Sequence, residues 1–210
     1  MSALRLVAFS GNTHRPSKTR ALAEAAIAAV ARRQAVDPEL YDLVDIGPGV
    51  GAFSRGKLPL AGQEILEAIE GADALIIGTP VYKGSFIGLL KHLIDFVDPA
   101  ALAGKPVLLA ATGGGHRHAL VVEHQLRPLF GFFSALSVPT AVYAADADFT
   151  DGALAAPDVR ARLEQAAGEL AALASRPTSF ATPDRAAPQP VANGHLTPPR
   201  AAGARLTALS

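Results

Sequence analysis

The residues with the clearest chemical potential are the small polar ones that follow the first apolar run of the chain. Residues 4–9 are almost all apolar, and hydroxyl, amide and basic side chains come next, before an Ala- and Leu-rich stretch. This order predicts a strand, a loop of hydrogen-bond donors and a helix N-terminus, where backbone N–H groups and the helix dipole favour an anion. A phosphate group fits this first loop. Its candidate ligands are Ser10, Arg15, Ser17, Lys18 and Thr19.

Two other interpretations of the first loop stay open. Lys18-Thr19 is similar to the end of a triphosphate-binding P-loop, but Ser17 stands where that motif needs glycine, and Pro16 removes a donor. The motif therefore gives weak support for a triphosphate. The simpler alternative is an ordinary helix start in which Ser17 is only the N-cap.

A second polar segment follows the apolar run at 74–78. It combines a proline-stiffened turn, an aromatic plane and an ammonium group, against which a planar heterocycle can lie. The alternative is a strand-to-helix turn with Tyr82 packed against protein. The candidate residues of this second loop are Pro80, Val81, Tyr82, Lys83, Gly84 and Ser85.

A third loop follows the apolar run at 106–111. Glycine has no Cβ, so a glycine-rich backbone can approach the face of a ligand closely. A tight turn without ligand is the alternative. The candidate residues are Thr112, Gly113, Gly114 and Gly115.

Alternating strand and helix patterns position these loops. Short apolar runs at 4–9, 39–44, 74–78, 106–111 and 140–143 alternate with helical patterns at 17–33, 63–70, 86–96, 118–133 and 157–174. The alternation predicts an α/β protein, a flavodoxin-like three-layer fold with a five-stranded parallel sheet in the order 2-1-3-4-5. Ligands in such sheets lie beyond the carboxyl ends of the strands where the order reverses. We therefore expect the three loops to meet there.

Composition limits the class of protein. The 210 residues include 19 basic and 19 acidic side chains, so no basic field favours nucleic acid or an anionic membrane surface. The absence of cysteine excludes disulfides and thiolate catalysis, so redox chemistry needs a bound cofactor. No apolar run approaches about 20 residues, and the chain is expected to be cytoplasmic.

The chain is expected to contain one folded domain and a tail. Residues 1–175 hold the strand and helix patterns, whereas residues 176–210 are rich in Pro and Ala and predict disorder. Three histidines, His116, His118 and His124, lack acidic partners at ligand spacing, so we predict no metal site.

Taken together, the three loops resemble those of the NADPH-dependent FMN reductase family. The likeness extends over roughly residues 4–174. It depends on Ser10-Gly11 followed by Arg15-Pro16-Ser17, on Thr-Pro-Val-Tyr-Lys at 79–83, and on Ala-Thr-Gly-Gly at 111–114. Within the family the chain is most similar to the flavin reductases that act with alkanesulfonate or methanesulfonate monooxygenases. The tail has no counterpart in the family pattern.

The resemblance implies that the first loop holds the FMN phosphate and that the second and third loops border the isoalloxazine ring. It also implies NADPH or NADH as reductant, release of reduced FMN to a partner monooxygenase, and a homo-oligomer, dimer or tetramer, with a π-helix at His124 in its interface. Two alternatives remain: a reductase that retains FMN and reduces quinones, azo dyes or nitro compounds, and a flavodoxin-like electron carrier. The neutral charge of the chain disfavours the carrier.

Overall fold

A mostly parallel β-sheet lies at the centre of the part of the chain that the structure describes. The computed structural model describes residues 3–175, and the predicted tail at 176–210 lies outside the described residues. The central sheet contains β1 (Leu4–Ser10), β2 (Val36–Asp42), β3 (Ala74–Tyr82), β4 (Ser85–Phe86), β5 (Pro106–Gly113), β6 (Leu136–Ser137) and β7 (Val142–Ala145). A separate hairpin pairs β8 (Phe149–Thr150) with β9 (Ala153–Leu154).

Helices connect these strands on both faces of the sheet. The α-helices are α1 (Lys18–Ala31), α2 (Leu43–Ile46), α3 (Leu60–Gly71), α4 (Gly88–Ile94), α5 (Arg127–Phe132) and α6 (Pro157–Ala174). A π-helix spans Val122–Leu126, directly before α5. Short 3-10 turns lie at Gly47–Gly51, Arg55–Lys57, Pro99–Leu102, His116–His118 and Asp146–Asp148. No helix within residues 3–175 is long and apolar enough to cross a membrane.

The predicted strand order is confirmed for the five main parallel strands. They lie in the order β2-β1-β3-β5-β7, which is 2-1-3-4-5 when the main strands are counted in sequence. The last position is divided, because β6 pairs with the start of β5 and β7 with its end. Pro139, which has no N–H to donate, lies between the two segments. Strand β4 is antiparallel to β3 and was not predicted.

Two buried layers flank the sheet. Leu6 and Ala8 face α1 and α6, whereas Val7 and Phe9 face the layer that contains α3, α4 and α5. All four side chains are fully buried. Strands covered on both faces need no alternation of polar and apolar residues, which explains the continuous apolar runs in the sequence.

Several predicted boundaries are wrong. Strand β2 begins at Val36, before the expected start at 39, and contains Pro38, which is tolerated because β2 is an edge strand. Strand β3 continues past residue 78 to Tyr82. The single helix expected at 118–133 is divided into a 3-10 turn, the π-helix and α5. Helix α6 has the predicted bounds.

Candidate functional site

The three polar loops meet at the carboxyl edge of the sheet. Ser10 lies beside Gly78 in the register of β1 with β3, and Pro80 lies beside Thr112 in the register of β3 with β5. The Gly11 N–H donates to the Gly78 carbonyl at 2.8 Å. The predicted convergence is therefore present, at the point where the strand order reverses.

The first loop is held by hydrogen bonds below its surface. Ser10 is fully buried, and its hydroxyl donates to Asn12 Oδ1 at 2.5 Å. The Asn12 amide donates to the His14 carbonyl at 3.0 Å and to Asp42 Oδ2 at 3.1 Å. These contacts fix the path of the loop between β1 and α1. Direct phosphate contact by the Ser10 hydroxyl stays a prediction.

Arg15 is paired with carboxylates of the β2–α2 segment. Its Nε lies 2.8 Å from Asp42 Oδ2, and a terminal nitrogen lies 2.6 Å from Asp45 Oδ1. Burial alone would raise the pKa of Asp42, but hydrogen bonds from Arg15, Asn12 and Arg20 outweigh it and lower that pKa. Asp42 is thus a buried anion that orders the first loop. A phosphate bound by Arg15 would share its guanidinium with these two carboxylates.

The start of α1 presents the remaining first-loop candidates. Ser17 is the N-cap, as the simpler interpretation required, and its hydroxyl accepts from the Arg20 N–H at 3.3 Å. Lys18 Nζ lies 2.8 Å from Asp146 Oδ1. The hydroxyl groups of Thr19 and Thr112 are 2.6 Å apart and buried, so this pair connects the first loop to the third. The Lys18 side chain is 41% exposed and accessible to an anion, whereas Thr19 and Thr112 are buried.

The second loop is a strand end and a two-residue hairpin. Strand β3 continues through Pro80 and Val81, and Lys83-Gly84 forms the turn into β4, with φ of 53° and 83°. Positive φ at both central residues is typical of a type I′ turn. The predicted proline-stiffened turn and its strand-to-helix alternative are both wrong in this detail, because Pro80 lies within β3 and Tyr82 pairs with Ser85 across the hairpin. Tyr82 is 47% exposed, which leaves its ring accessible.

The third loop is packed against Tyr143 of β7. A Cβ at Gly113 would lie 2.5 Å from the Tyr143 hydroxyl oxygen, whereas a Cβ at Gly114 would meet nothing closer than 3.9 Å. The Tyr143 hydroxyl donates to the Gly115 carbonyl at 2.6 Å. Burial, followed by the nearby charges of Asp146 and Asp148, raises the pKa of Tyr143, so the phenol stays protonated at neutral pH. Tyr143 thus fixes the glycine loop from beneath.

A π-helix contains His124, as the family resemblance implied. His124 is exposed, and the next residue, Gln125, lies with its Oε1 3.4 Å from the Ser85 hydroxyl. The π-helix therefore contacts the hairpin of the second loop. Its predicted position in a subunit interface is a separate matter that stays a prediction.

The donor set fits a ligand with a phosphate at one end and a flat ring at the other. The N-terminus of α1 and Lys18 supply positive charge, whereas the open backbone of Gly114 and Gly115 and the exposed Tyr82 ring supply flat, uncharged surface. Among residues 3–175, no group of three or more His, Cys, Asp or Glu side chains is placed to hold a metal ion.

Sequence reasoning missed four residues that organise this site. None of the four was a candidate, although each contacts a candidate side chain, a candidate loop or another of the four. They are Asp42, Asn12, Tyr143 and Asp146. The signal available for Asp42 and Asp146 was their place at or just after the end of a strand, since strand carboxyl ends meet at one edge.

Comparison with known proteins gives a consistent result. A family model described as NADPH-dependent FMN reductase matches residues 4–150. An FMN reductase (NADPH) of Pseudomonas aeruginosa is 47% identical over 173 residues, which cover 82% of this chain and 93% of that protein. The NADH-dependent FMN reductase SfnF of Pseudomonas fluorescens is 49% identical over 171 residues, covering 81% and 91%. The crystal structure of an oxidoreductase from Corynebacterium diphtheriae has a TM-score of 0.71 at 37% identity, covering 82% and 97%.

Proposed function

The chain belongs to the NADPH-dependent FMN reductase family, and from this we propose that it catalyses the reduction of FMN by NAD(P)H. The observation that carries the proposal is the meeting of the three loops at the carboxyl edge of β1, β3 and β5, with a cationic helix start at one end and an open glycine backbone at the other. Bound FMN would accept a hydride from the nicotinamide of NAD(P)H.

In this proposal the residues of the chain bind FMN and orient it for hydride transfer. The α1 N-terminus, Ser17 and Lys18 hold the phosphate, with Arg15 beside them, and the Thr19–Thr112 pair keeps the first and third loops at a fixed separation. Hydride transfer between two stacked rings needs no side-chain acid or base, so preorganised surfaces are sufficient.

The second and third loops border the ring. Thr79 fixes the hairpin, because its buried hydroxyl accepts from the Ile87 N–H at 3.3 Å and donates to the Pro80 carbonyl at 3.0 Å. The candidate ring contacts are Pro80, Val81, Tyr82, Lys83, Gly84 and Ser85 of the second loop and Thr112, Gly113, Gly114 and Gly115 of the third. Backbone N–H groups of these loops would stabilise negative charge on a reduced ring.

We further propose that reduced FMN leaves for a partner monooxygenase in sulfonate-sulfur assimilation, and that the protein acts in the cytoplasm. The resemblance to two-component reductases supports the partner. The nicotinamide reductant and the absence of cysteine support the compartment.

A homo-oligomer, dimer or tetramer, is also part of the proposal. Leu120 and Phe132, on either side of the π-helix in sequence, are 63% and 73% exposed. Phe132 borders a cavity of about 400 Å³ whose lining is mostly apolar, with Ile94, Val97 and Leu129, but also includes Lys91 and Asp95. Burial of such surface between subunits is favourable. The apolar residues Val121, Leu126, Phe130 and Phe133, in contrast, are buried within the chain itself.

A steady-state assay tests the function. The full chain is mixed with NADPH or NADH and with FMN, riboflavin or a quinone as acceptor, and oxidation of the nicotinamide is followed by absorbance. Rapid turnover that saturates with FMN is expected. Rapid turnover with quinone by an enzyme that keeps its FMN would favour the quinone, azo or nitro reductase. Slow turnover with every acceptor would favour the electron carrier.

A further inference from the structure

Lys18 is held by an anion from a distant part of the chain. Its Nζ lies 2.8 Å from Asp146 Oδ1 and 5.9 Å from the ring centroid of Phe149. Lys18 begins α1, and Asp146 begins the turn that follows β7, 128 residues later. The contact therefore joins the proposed phosphate end of the site to the far edge of the sheet.

The same carboxylate also faces the third loop. A Cβ at Gly114 would lie 3.9 Å from Asp146 Oδ2, so the two carboxylate oxygens lie toward two different loops of the site. The turn is fixed by Asp148, whose Oδ2 accepts from the Ala145 N–H at 2.7 Å. Asp146 is thus a positioned negative charge between the proposed phosphate and ring ends.

The ion pair contributes little to the fold. The Asp146 side chain is 59% exposed and that of Lys18 is 41% exposed. Pairs this exposed are screened by water and salt and stabilise proteins weakly. A phosphate can therefore displace Asp146 from Lys18 at small cost, but the displaced carboxylate stays close to the phosphate that replaced it.

We propose that Asp146 competes with the flavin phosphate for Lys18 and thereby keeps FMN exchangeable. This inference rests on the proposed function, because it requires FMN at the first loop. Repulsion between the carboxylate and the phosphate dianion lowers the affinity for FMN, and return of Asp146 to Lys18 favours release. Riboflavin lacks the phosphate, so its affinity does not depend on Asp146.

Isosteric removal of the charge tests the proposal. Dissociation constants of FMN and riboflavin are measured by flavin fluorescence for the full-length wild type and for Asp146→Asn. FMN is expected to bind roughly three- to tenfold more tightly and to dissociate correspondingly more slowly, with riboflavin unchanged. Asp146→Glu keeps the charge and is expected to retain wild-type affinities. Asp37→Asn, which removes the same charge from an exposed position near the start of β2, away from the carboxyl ends of the strands, is the matched control and should leave both constants unchanged.

Three results would overturn the inference. Weaker FMN binding by Asp146→Asn would show that Asp146 positions Lys18 for the phosphate, and equal changes for FMN and riboflavin would show a structural role. An undiminished effect of Asp146→Asn in a Lys18→Met background would show that Asp146 does not compete for Lys18. Failure of the proposed function is distinct, because the wild type would then neither bind FMN nor oxidise NAD(P)H in its presence.

Discussion

Substitution of Gly113 by Ala is expected to destabilise the protein through one identifiable atom. The new Cβ would lie 2.5 Å from the Tyr143 hydroxyl oxygen, a separation that the structure can relieve only by moving the ring or the loop. Either movement disturbs the 2.6 Å hydrogen bond from Tyr143 to the Gly115 carbonyl. Gly113 has no positive φ, so the expected effect is steric and not conformational.

The size of the destabilisation follows from the distances between the new Cβ and its neighbouring atoms. Overpacking of this kind costs about 1–3 kcal/mol. Tyr143→Phe alone removes one hydrogen bond and costs about 1 kcal/mol. Without the hydroxyl, the next atoms are Tyr143 Cζ at 3.4 Å and Val81 Cβ at 3.5 Å, both ordinary contacts. The double variant should therefore be about as stable as Tyr143→Phe, which gives a favourable coupling of about 1–3 kcal/mol.

Urea unfolding of the wild type, the two single variants and the double variant measures this coupling. Gly114→Ala is the control, since its Cβ meets nothing closer than 3.9 Å, and it should unfold like the wild type. If the effects of Gly113→Ala and Tyr143→Phe simply add, within about 0.5 kcal/mol, the packing of Tyr143 beneath the glycine loop is refuted.

Four further changes have defined outcomes. Lys18→Met should weaken FMN binding about tenfold and leave riboflavin binding unchanged, because only FMN offers a phosphate to the ammonium. Fluorescence titration with both flavins measures this. Equal losses of affinity for the two flavins would exclude the phosphate assignment. Burial lowers the pKa of Lys105 from 10.5 to about 8, so the unfolded chain retains the proton more strongly and the free energy of unfolding should rise between these pH values. Urea unfolding across that range should show the rise in the wild type and lack it in Lys105→Met. Deletion of His124 should convert the π-helix into a regular helix, shift the oligomer equilibrium and cause FMN to be retained. Gel filtration measures the oligomer, and a desalting column measures flavin retention. An unchanged oligomer that still releases FMN would show that His124 is only a surface residue. Truncation after residue 176 should preserve thermal stability and reductase rate, because the removed sequence has almost no periodic apolar surface, and a large loss of either would show that the tail docks on folded protein.

The sequence determined the architecture, because the architecture depends on local patterns. Continuous apolar runs predict parallel strands that are buried on both faces. The sequence also predicts α6 with its observed bounds, Pro157–Ala174. Strand order and the rule for strand carboxyl ends then placed the three loops together. The likeness of those loops to one family indicated the π-helix that contains His124, which helical periodicity alone did not.

Only the tertiary structure decided which side chains meet within that site. Thr19 contacts Thr112 across 93 residues of sequence, and Lys18 contacts Asp146 across 128. Such contacts depend on strand register and on the tilt of α1 over the sheet, and no local pattern encodes either quantity. The hairpin at Lys83-Gly84 does not follow from the sequence for a related reason. A proline just after an apolar run predicts the end of the strand, whereas Pro80 lies within β3, next to Thr112 of β5. The residue types thus specified the chemistry, while long-range packing set which charges face one another.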